Sequence, residues 1–293
     1  MKAMATAARQ HLAKCVETVR TNDRWHFLCS TFLSPERRAN SLIVHALNCE
    51  LDQISAKSTK ARFSSLKFKW WVDAVAKVAG GDAVPNHPVV SLLPRVVGDS
   101  RTRKFLLNKV VQAKLELVEK PLRVCKTLES VEENAEGTYS SLYYLLLESS
   151  GARQPEVLDA ASHMGKGVGL ALLLKSIPQD ALKDKVLLPS DLCRGAKVNY
   201  GSVTAGYNSD ELSEVVYRVA ARAKHHLDES RRAHNSLCGD AKPFLLPLIP
   251  ALRYLERLER AEFAPFTQSL HDDALSDLKL KFSVAWGNFS GKV

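Results

Sequence analysis

Hydrophobic residues recur at intervals of three and four along almost the whole chain, the spacing of one face of an α-helix. Ser34 and Pro35 mark one helix start, because serine caps free backbone amides and proline at the first helical position loses no hydrogen bond. The spacing predicts helices over 38–54, 63–79, 105–118, 130–151, 155–176, 208–237, 248–261 and 275–286. With no segment of alternating polarity long enough for a strand, the pattern predicts one all-α domain of eight or more helices.

Three local patterns sharpen this prediction. Ser130 and Glu133 have the spacing of a capping box, in which each side chain bonds to the backbone amide of the other residue. The glycine-rich run at 165–169 lies inside a helical pattern, so we expect close helix packing there rather than a phosphate-binding loop. In the helix over 63–79, Leu66 and Trp70 fall on the predicted apolar side.

The chain shows no internal division. Residues 1–10 are predicted to be a targeting remnant or a flexible N-terminus, because bases predominate over the first twenty residues. Residues 11–293 are predicted to form the single helical domain. No run of about 18 uninterrupted apolar residues occurs, so we expect no transmembrane segment. Short apolar segments leave peripheral membrane contact open.

The composition is that of a globular protein, with 45% hydrophobic and 25% charged residues, which excludes a disordered chain. Six cysteines occur without a CxxC pair, which argues against a disulfide scaffold and a structural zinc site. His45 and Cys49 share a helix face, but no second pair at metal spacing accompanies them. The sequence therefore predicts no bound metal and a reducing compartment.

The formal net charge is +9, with basic clusters at 101–104, 222–225 and 231–232. Such an excess suits phosphate-rich partners, RNA or anionic lipid among them, and equally an ordinary solvated surface. The clusters are not interleaved with the aromatic residues that stack on bases. RNA therefore stays open as a partner without being favoured.

Three stretches carry recognisable motifs: HALNCELDQISA at 45–56, GKGVGLALLLKSIPQD at 165–180 and KVLLPSDL at 185–192. Together they resemble the squalene/phytoene synthase family, all-α enzymes that join two prenyl diphosphates. In that family the first two motifs end in carboxylates spaced i, i+4 on one helix face. Those carboxylates hold Mg²⁺ ions, which neutralise the diphosphate leaving group. The resemblance implies an isoprenoid-synthase-like helical bundle.

The acidic positions of both motifs are largely lost. In the first motif Asp52 remains, while Gln53 and Ala56 replace acids; in the second Ser176 replaces the first aspartate and Asp180 remains. These five positions are interpreted as vestiges of the family's site. The sequence therefore predicts no catalytic residue, no metal and no cofactor.

Further departures concern the second motif and the prenyl cavity of the family. Pro178 is predicted to interrupt the helix before Asp180, because proline cannot continue the hydrogen-bond ladder. Tyr139 stands where the enzymes have a small residue, Gly169 where they have glutamine and Leu172 where they have asparagine. These three residues are predicted to line a cavity that the tyrosine ring partly fills.

Three stretches also resemble a non-catalytic mitochondrial branch of the family, the complex I assembly factor six proteins: LNCELDQI at 47–54, NAEGTYSSLYYLLLE at 134–148 and HMGKGVG at 163–169. The resemblance implies a mitochondrial protein of the matrix or inner-membrane surface that helps to build respiratory complex I. Its partners are then subunits or other assembly factors. Two alternatives stay open: an assembly factor of the mitoribosome that contacts RNA or ribosomal proteins, and a Mg²⁺-dependent prenyltransferase or prenyl-lipid binder.

Overall fold

The computed structural model of the chain describes residues 2–57, 61–236, 239–270 and 273–290. Helices account for most of these residues and no strand occurs among them, which confirms the all-α prediction. The α-helices are α1 (Lys2–Asn22), α2 (Arg24–Ser30), α3 (Pro35–Lys57), α4 (Ala61–Gly80), α5 (Leu93–Val97), α6 (Arg101–Glu119), α7 (Pro121–Val124), α8 (Leu128–Ala135), α9 (Ser141–Ser149), α10 (Pro155–Ala181), α11 (Ser190–Gly195), α12 (Tyr200–Thr204), α13 (Asp210–Ser236), α14 (Leu248–Arg260) and α15 (Asp273–Ser290).

All eight predicted helices are present, as α3, α4, α6, α8 with α9, α10, α13, α14 and α15. Most of the short helices in the connections between the long ones were not predicted from the apolar spacing. The helix α1 begins at Lys2, so residues 2–10 belong to the same helix as residues 11–22. A targeting role for residues 1–10 stays a prediction.

The helix α10 lies at the centre of the bundle and packs against α8, α9, α13 and α14. Its glycines permit this close packing. A Cβ atom at Gly165 would lie 2.3 Å from the backbone nitrogen of Ser140, and one at Gly167 would lie 2.6 Å from Cγ of Leu227. The prediction of close helix packing at 165–169 is therefore confirmed.

Among the described residues, α10 is also the helix that is long and apolar enough to cross a membrane. The sequence prediction of no such segment relied on uninterrupted apolar runs, whereas α10 reaches the required average hydropathy with Lys166 and Lys175 inside it. In the fold, 61% of its apolar window is buried inside the protein. This burial is typical of a core helix.

The predicted capping box at Ser130 and Glu133 is wrong. The helix α8 begins three residues earlier, where Thr127 caps it and exchanges hydrogen bonds with Ser130. Between α8 and α9 the chain makes one π-helical turn, Glu136–Ser140, and the two helices are otherwise continuous. This turn places Tyr139 and Ser140 against α10.

The helices α4 and α15 each leave several apolar residues exposed to solvent. On α4, Val75 and Val78 are buried, but Leu66 and Trp70 are 54% and 40% exposed, so the predicted apolar side is buried only in its second half. On α15 the exposed large apolar residues are Leu278, Phe282, Trp286 and Phe289, whereas Val284 on the opposite face is buried.

Candidate functional site

A cavity of about 230 Å³ opens between the α1–α2 junction, α3, the π-helical turn and α10. It contains the position of the family's first motif, and most of its lining residues have polar side chains. Its lining residues are Asn22, Asp23, Arg24, Trp25, Asn48, Cys49, Asp52, Gln53, Tyr139, Leu172, Lys175 and Gln179. The structure thus places Tyr139 and Leu172 at the cavity, together with two of the vestigial motif positions, Asp52 and Gln53.

Asp52 forms an ion pair with a lysine from another helix. Nζ of Lys114, on α6, lies 2.5 Å from Oδ1 of Asp52, and Asn48 donates to Oδ2 at 3.1 Å. The lysine side chain is 8% exposed and the aspartate side chain 48%. Burial alone lowers the pKa of Lys114, but the adjacent Asp52 carboxylate outweighs it, so this pKa is raised above its usual value. Asp52 therefore has a permanent cation beside it.

Tyr139 and Gly169 occupy complementary space. A Cβ atom at Gly169 would lie 2.9 Å from a ring carbon of Tyr139 and 2.7 Å from Cβ of Ala135. The absent side chain at residue 169 therefore leaves the room that the tyrosine ring takes. The ring also lies 5.0 Å below the ammonium group of Lys114, and burial raises the pKa of Tyr139 to about 12. The phenol is consequently neutral and helps to enclose the lysine.

Asp180 lies one turn beyond Ser176, contrary to the prediction that Pro178 separates them. The helix α10 continues through Pro178 to Ala181, and the Ser176 hydroxyl lies 2.6 Å from Oδ2 of Asp180 and 2.9 Å from the carbonyl oxygen of Leu173. Proline so close to the helix end removes one ladder bond without ending the helix. The helical spacing of the second motif is thus retained, with serine as the first member.

Asp180 and Asp52 line different cavities. Asp180 faces a much smaller space beside Ile177, Lys185 and Val203. Burial raises the pKa of Asp180, and the charge of Asp52 contributes in the same direction. The two surviving carboxylates therefore do not converge on one pocket.

These positions do not fit the Mg²⁺ ions of the family's chemistry. A magnesium site needs several oxygen ligands in near-octahedral geometry. Asp52 is bound to a buried ammonium group, and Asp180 has a raised pKa and a serine partner. Gln53 lines the cavity without a carboxylate, and Ala56 lies on α3 and has no oxygen ligand on its side chain.

A second polar cluster lies beside the cavity, and the sequence motifs did not predict it. Oδ2 of Asp23 lies 2.6 Å from Nδ1 of His26, and Nε2 of His26 lies 2.7 Å from the hydroxyl of Tyr143. The ring of His45 stacks on His26 with 4.0 Å between centroids. The charge and hydrogen bonds of His26 overcome the effect of burial and lower the pKa of Asp23 below its usual range. The Asp23-x-x-His26 spacing was the available signal for this cluster.

His45 and Cys49 share a face of α3, but Cys49 does not offer the thiolate that a metal ligand pair would need. Burial, followed by the nearby acids Asp23 and Asp52, raises the pKa of the Cys49 thiol well above its usual value. All five described cysteines are free and buried. Cys49 is therefore a neutral wall of the cavity.

Comparison with known proteins gives a family and a fold. The squalene/phytoene synthase family model matches residues 19–279. The complex I assembly factor 6 of Bos taurus is 30% identical over 257 residues, which cover 87% of this chain and 76% of that protein. Its homologue in Drosophila melanogaster is 29% identical over 85% of this chain and 75% of that protein, and the one in Dictyostelium discoideum is 26% identical over 85% and 70%.

Solved structures agree on the fold. A dehydrosqualene synthase in complex with a ligand superposes with a TM-score of 0.79 at 14% identity, over 97% of this chain and 98% of that one. The squalene synthase of Alicyclobacillus acidocaldarius gives a TM-score of 0.70 at 15% identity, over 88% and 96%. The isoprenoid-synthase-like bundle expected from the motifs is thus confirmed, and the chain belongs to the squalene/phytoene synthase family.

Proposed function

We propose that the chain is a non-catalytic, mitochondrial assembly factor of respiratory complex I. The observation that carries the loss of catalysis is the Lys114–Asp52 ion pair, in which a buried ammonium group takes the one carboxylate left in the first motif. The names of the relatives, which are complex I assembly factors over most of the chain, support the client. The partners are then complex I subunits or other assembly factors.

Prenyl transfer is the competing activity, and the charges at the cavity argue against it. A diphosphate leaves only when hard cations neutralise it, and these cations need clustered carboxylates. Here the cavity offers Asp52, already paired, while Lys175 stands in the second motif and lies 5.4 Å from the ring of Trp25. The ammonium group of Lys175 can bind an anionic ligand in the cavity, but the motifs place no second unpaired carboxylate in the cavity lining.

The test separates assembly from catalysis. Deleting the gene in its own cells is expected to lower assembled complex I on native gels, and affinity purification of the wild type is expected to retrieve complex I intermediates. A variant with Asp52→Asn, Lys114→Met and Asp180→Asn removes both motif carboxylates. Because it also removes Lys114, it leaves no buried ammonium group without its counter-charge. It is expected to restore complex I as well as the wild type.

Two results would overturn the proposal. One is the formation of a prenyl product from farnesyl or geranylgeranyl diphosphate with Mg²⁺, abolished in the triple variant. The other is unchanged complex I in the deletion strain, with mitoribosomal proteins retrieved instead. The second result would favour the mitoribosome alternative, which the ion pairs among the basic clusters do not support. Arg222 lies 3.3 Å from Glu132 and Lys224 lies 3.4 Å from Asp228, so both are already partnered.

A specific observation also favours peripheral contact with an anionic membrane. Leu278, Phe282, Trp286 and Phe289 form an exposed apolar stripe on α15, and the helix packs by its opposite face against α2 and α14. At 100° per residue, the exposed Lys279 and Lys281 flank this stripe on its two sides. Aromatic residues between lysines are typical of a helix that lies in the plane of an interface.

Vesicle sedimentation tests this contact. The wild type is expected to bind vesicles that contain cardiolipin or phosphatidylglycerol more tightly than pure phosphatidylcholine vesicles, and less tightly at high salt. The pair Phe282→Ser and Trp286→Ser is expected to abolish the binding. Leu66→Ser, at the exposed apolar residue on α4, is the matched control and leaves it unchanged. Binding that survives the α15 changes would exclude the stripe.

A further inference from the structure

The cluster at the α1–α2 junction has a donor set that its hydrogen bonds do not fully use. Asp23, His26 and His45 each offer one ligand atom, and these three atoms all lie within 4.8 Å of one another. His26 is 1% exposed, His45 is 3% exposed and the Asp23 side chain is 11% exposed. The cluster is therefore formed by the folded core rather than by a mobile surface.

His45 has a nitrogen with nothing to bind. Its Nδ1 atom is buried and has no hydrogen-bond partner, and the same holds for Oδ1 of Asn48, three residues further along α3. Buried polar atoms are normally paired, so an unpaired one points to a group that completes it. Both residues stand on the helix that borders the cavity.

The chemistry of the donors selects the ligand. Two neutral imidazoles and one carboxylate are the donor set of mononuclear Zn²⁺ and Fe²⁺ sites, which leave positions open for water or substrate. A tetrahedral Zn²⁺ ion holds its ligand atoms about 3.3 Å apart, so on metal binding the ligand atoms would move closer together and the stacked rings of His26 and His45 would turn to point a nitrogen each at the ion. Mg²⁺, which prefers oxygen ligands, is not the ion that this cluster suits.

The surroundings of the cluster resemble those of metal sites. When Nδ1 of a histidine binds a metal, its other nitrogen usually donates to an oxygen, and here Nε2 of His26 lies 2.7 Å from the hydroxyl of the buried Tyr143. Asp23 and Asn48 both line the cavity, so a bound ion would have an open side toward it.

We propose that Asp23, His26 and His45 bind one divalent transition-metal ion at the wall of the cavity. The site is separate from the family's two acidic motifs and departs from the sequence prediction of no metal. It holds whether or not the chain assembles complex I, because it rests on the geometry of the cluster alone. The residual cavity then has a Lewis acid on one wall and the Lys114–Asp52 pair on another.

Metal analysis of the full-length chain, purified without a histidine tag, tests the proposal. After chelation and reloading with Zn²⁺ we expect about one ion per chain. Co²⁺ is expected to give the visible absorption of a site with nitrogen and oxygen ligands. His45→Phe keeps a ring stacked on His26 but removes both nitrogens, and it is expected to weaken Zn²⁺ binding by at least about tenfold. Tyr143→Phe should weaken it by about tenfold through loss of the orienting hydroxyl.

His87→Phe is the matched control. His87 also has a buried, unpaired Nδ1, but it lies between the rings of Trp70 and Trp71, so this change should leave Zn²⁺ affinity unaltered. Should His45→Phe fail to fold, Asp23→Asn decides the matter in the same titration. A wild type that takes up no Zn²⁺ or Co²⁺ overturns the proposal, as does a folded His45→Phe or Asp23→Asn variant that keeps wild-type affinity.

Discussion

Asp52 and Asp180 are the two carboxylates that the chain keeps in its family motifs, and their surroundings act on their charges in opposite ways. Asp52 is half exposed and has a buried ammonium group 2.5 Å away. Asp180 lies in a small space that Lys185 also lines; burial raises its pKa, and a serine hydroxyl lies beside it. The charge of Asp52 is balanced by a fixed cation, whereas burial disfavours the charged form of Asp180. Neither environment is the cluster of unpaired carboxylates that a Mg²⁺ ion requires.

The largest expected effect comes from Asp52→Asn. It leaves the Lys114 ammonium group buried without a counter-charge, and breaking a buried pair in this way is strongly destabilising. Because the aspartate side chain is 48% exposed, we expect a loss of about 2 kcal/mol, less than for a fully buried pair. Urea unfolding measures the change. The exposed pair Arg218–Glu214 is the control, and Glu214→Gln should cost less than about 0.5 kcal/mol.

Lys114→Met is expected to cost less, about 1 kcal/mol, because water can solvate the half-exposed carboxylate and the apolar side chain fills the buried space. The double variant Asp52→Asn with Lys114→Met should be no less stable than Lys114→Met alone. A double-mutant cycle by urea unfolding then gives a coupling free energy of about 2 kcal/mol. Strict additivity would mean that the ion pair does not hold α3 against α6.

The smallest effect is expected at Asp180, and it has the opposite sign. A raised pKa means that the fold disfavours the charged carboxylate, so Asp180 costs stability at neutral pH and this cost disappears as the pH falls. Asp180→Asn should therefore raise the melting temperature by roughly 1–3 °C at pH 7. At a pH of about 3 or below, where aspartate is mostly protonated in both states, the gain should vanish. A gain that is the same at both pH values would contradict this account.

The fold could be predicted because its signals are local. The apolar spacing of each long helix is a property of neighbouring residues, and so is the packing of the glycine run on α10. Two helix boundaries were predicted wrongly, because a hydrogen bond fixes one of them and the position of a proline within its helix fixes the other. The helix α8 is capped by Thr127 rather than Ser130. The helix α10 continues through Pro178 because it ends only three residues later, at Ala181.

The site could be predicted only in part, because its partners come from distant segments. The motifs indicated Asp52, but its counter-charge Lys114 lies 62 residues away on α6. A signal existed, since Lys114 stands one turn after the buried Val110 on the apolar face of that helix. Likewise Asp23 and His26 are neighbours along the chain, whereas Tyr143 reaches His26 across 117 residues. Only the folded bundle brings such residues together.

The apolar character of α10 has a consequence for the chain before it folds. The helix is covered chiefly by α13, which comes later in the sequence, and it has the length and hydropathy of a membrane span. Membrane-insertion machinery selects segments by length and hydropathy rather than by their future tertiary contacts. A chain truncated before Asp210 would lack the helix that chiefly covers α10. The burial that distinguishes α10 from a membrane span therefore depends on α13, the helix that is synthesised later.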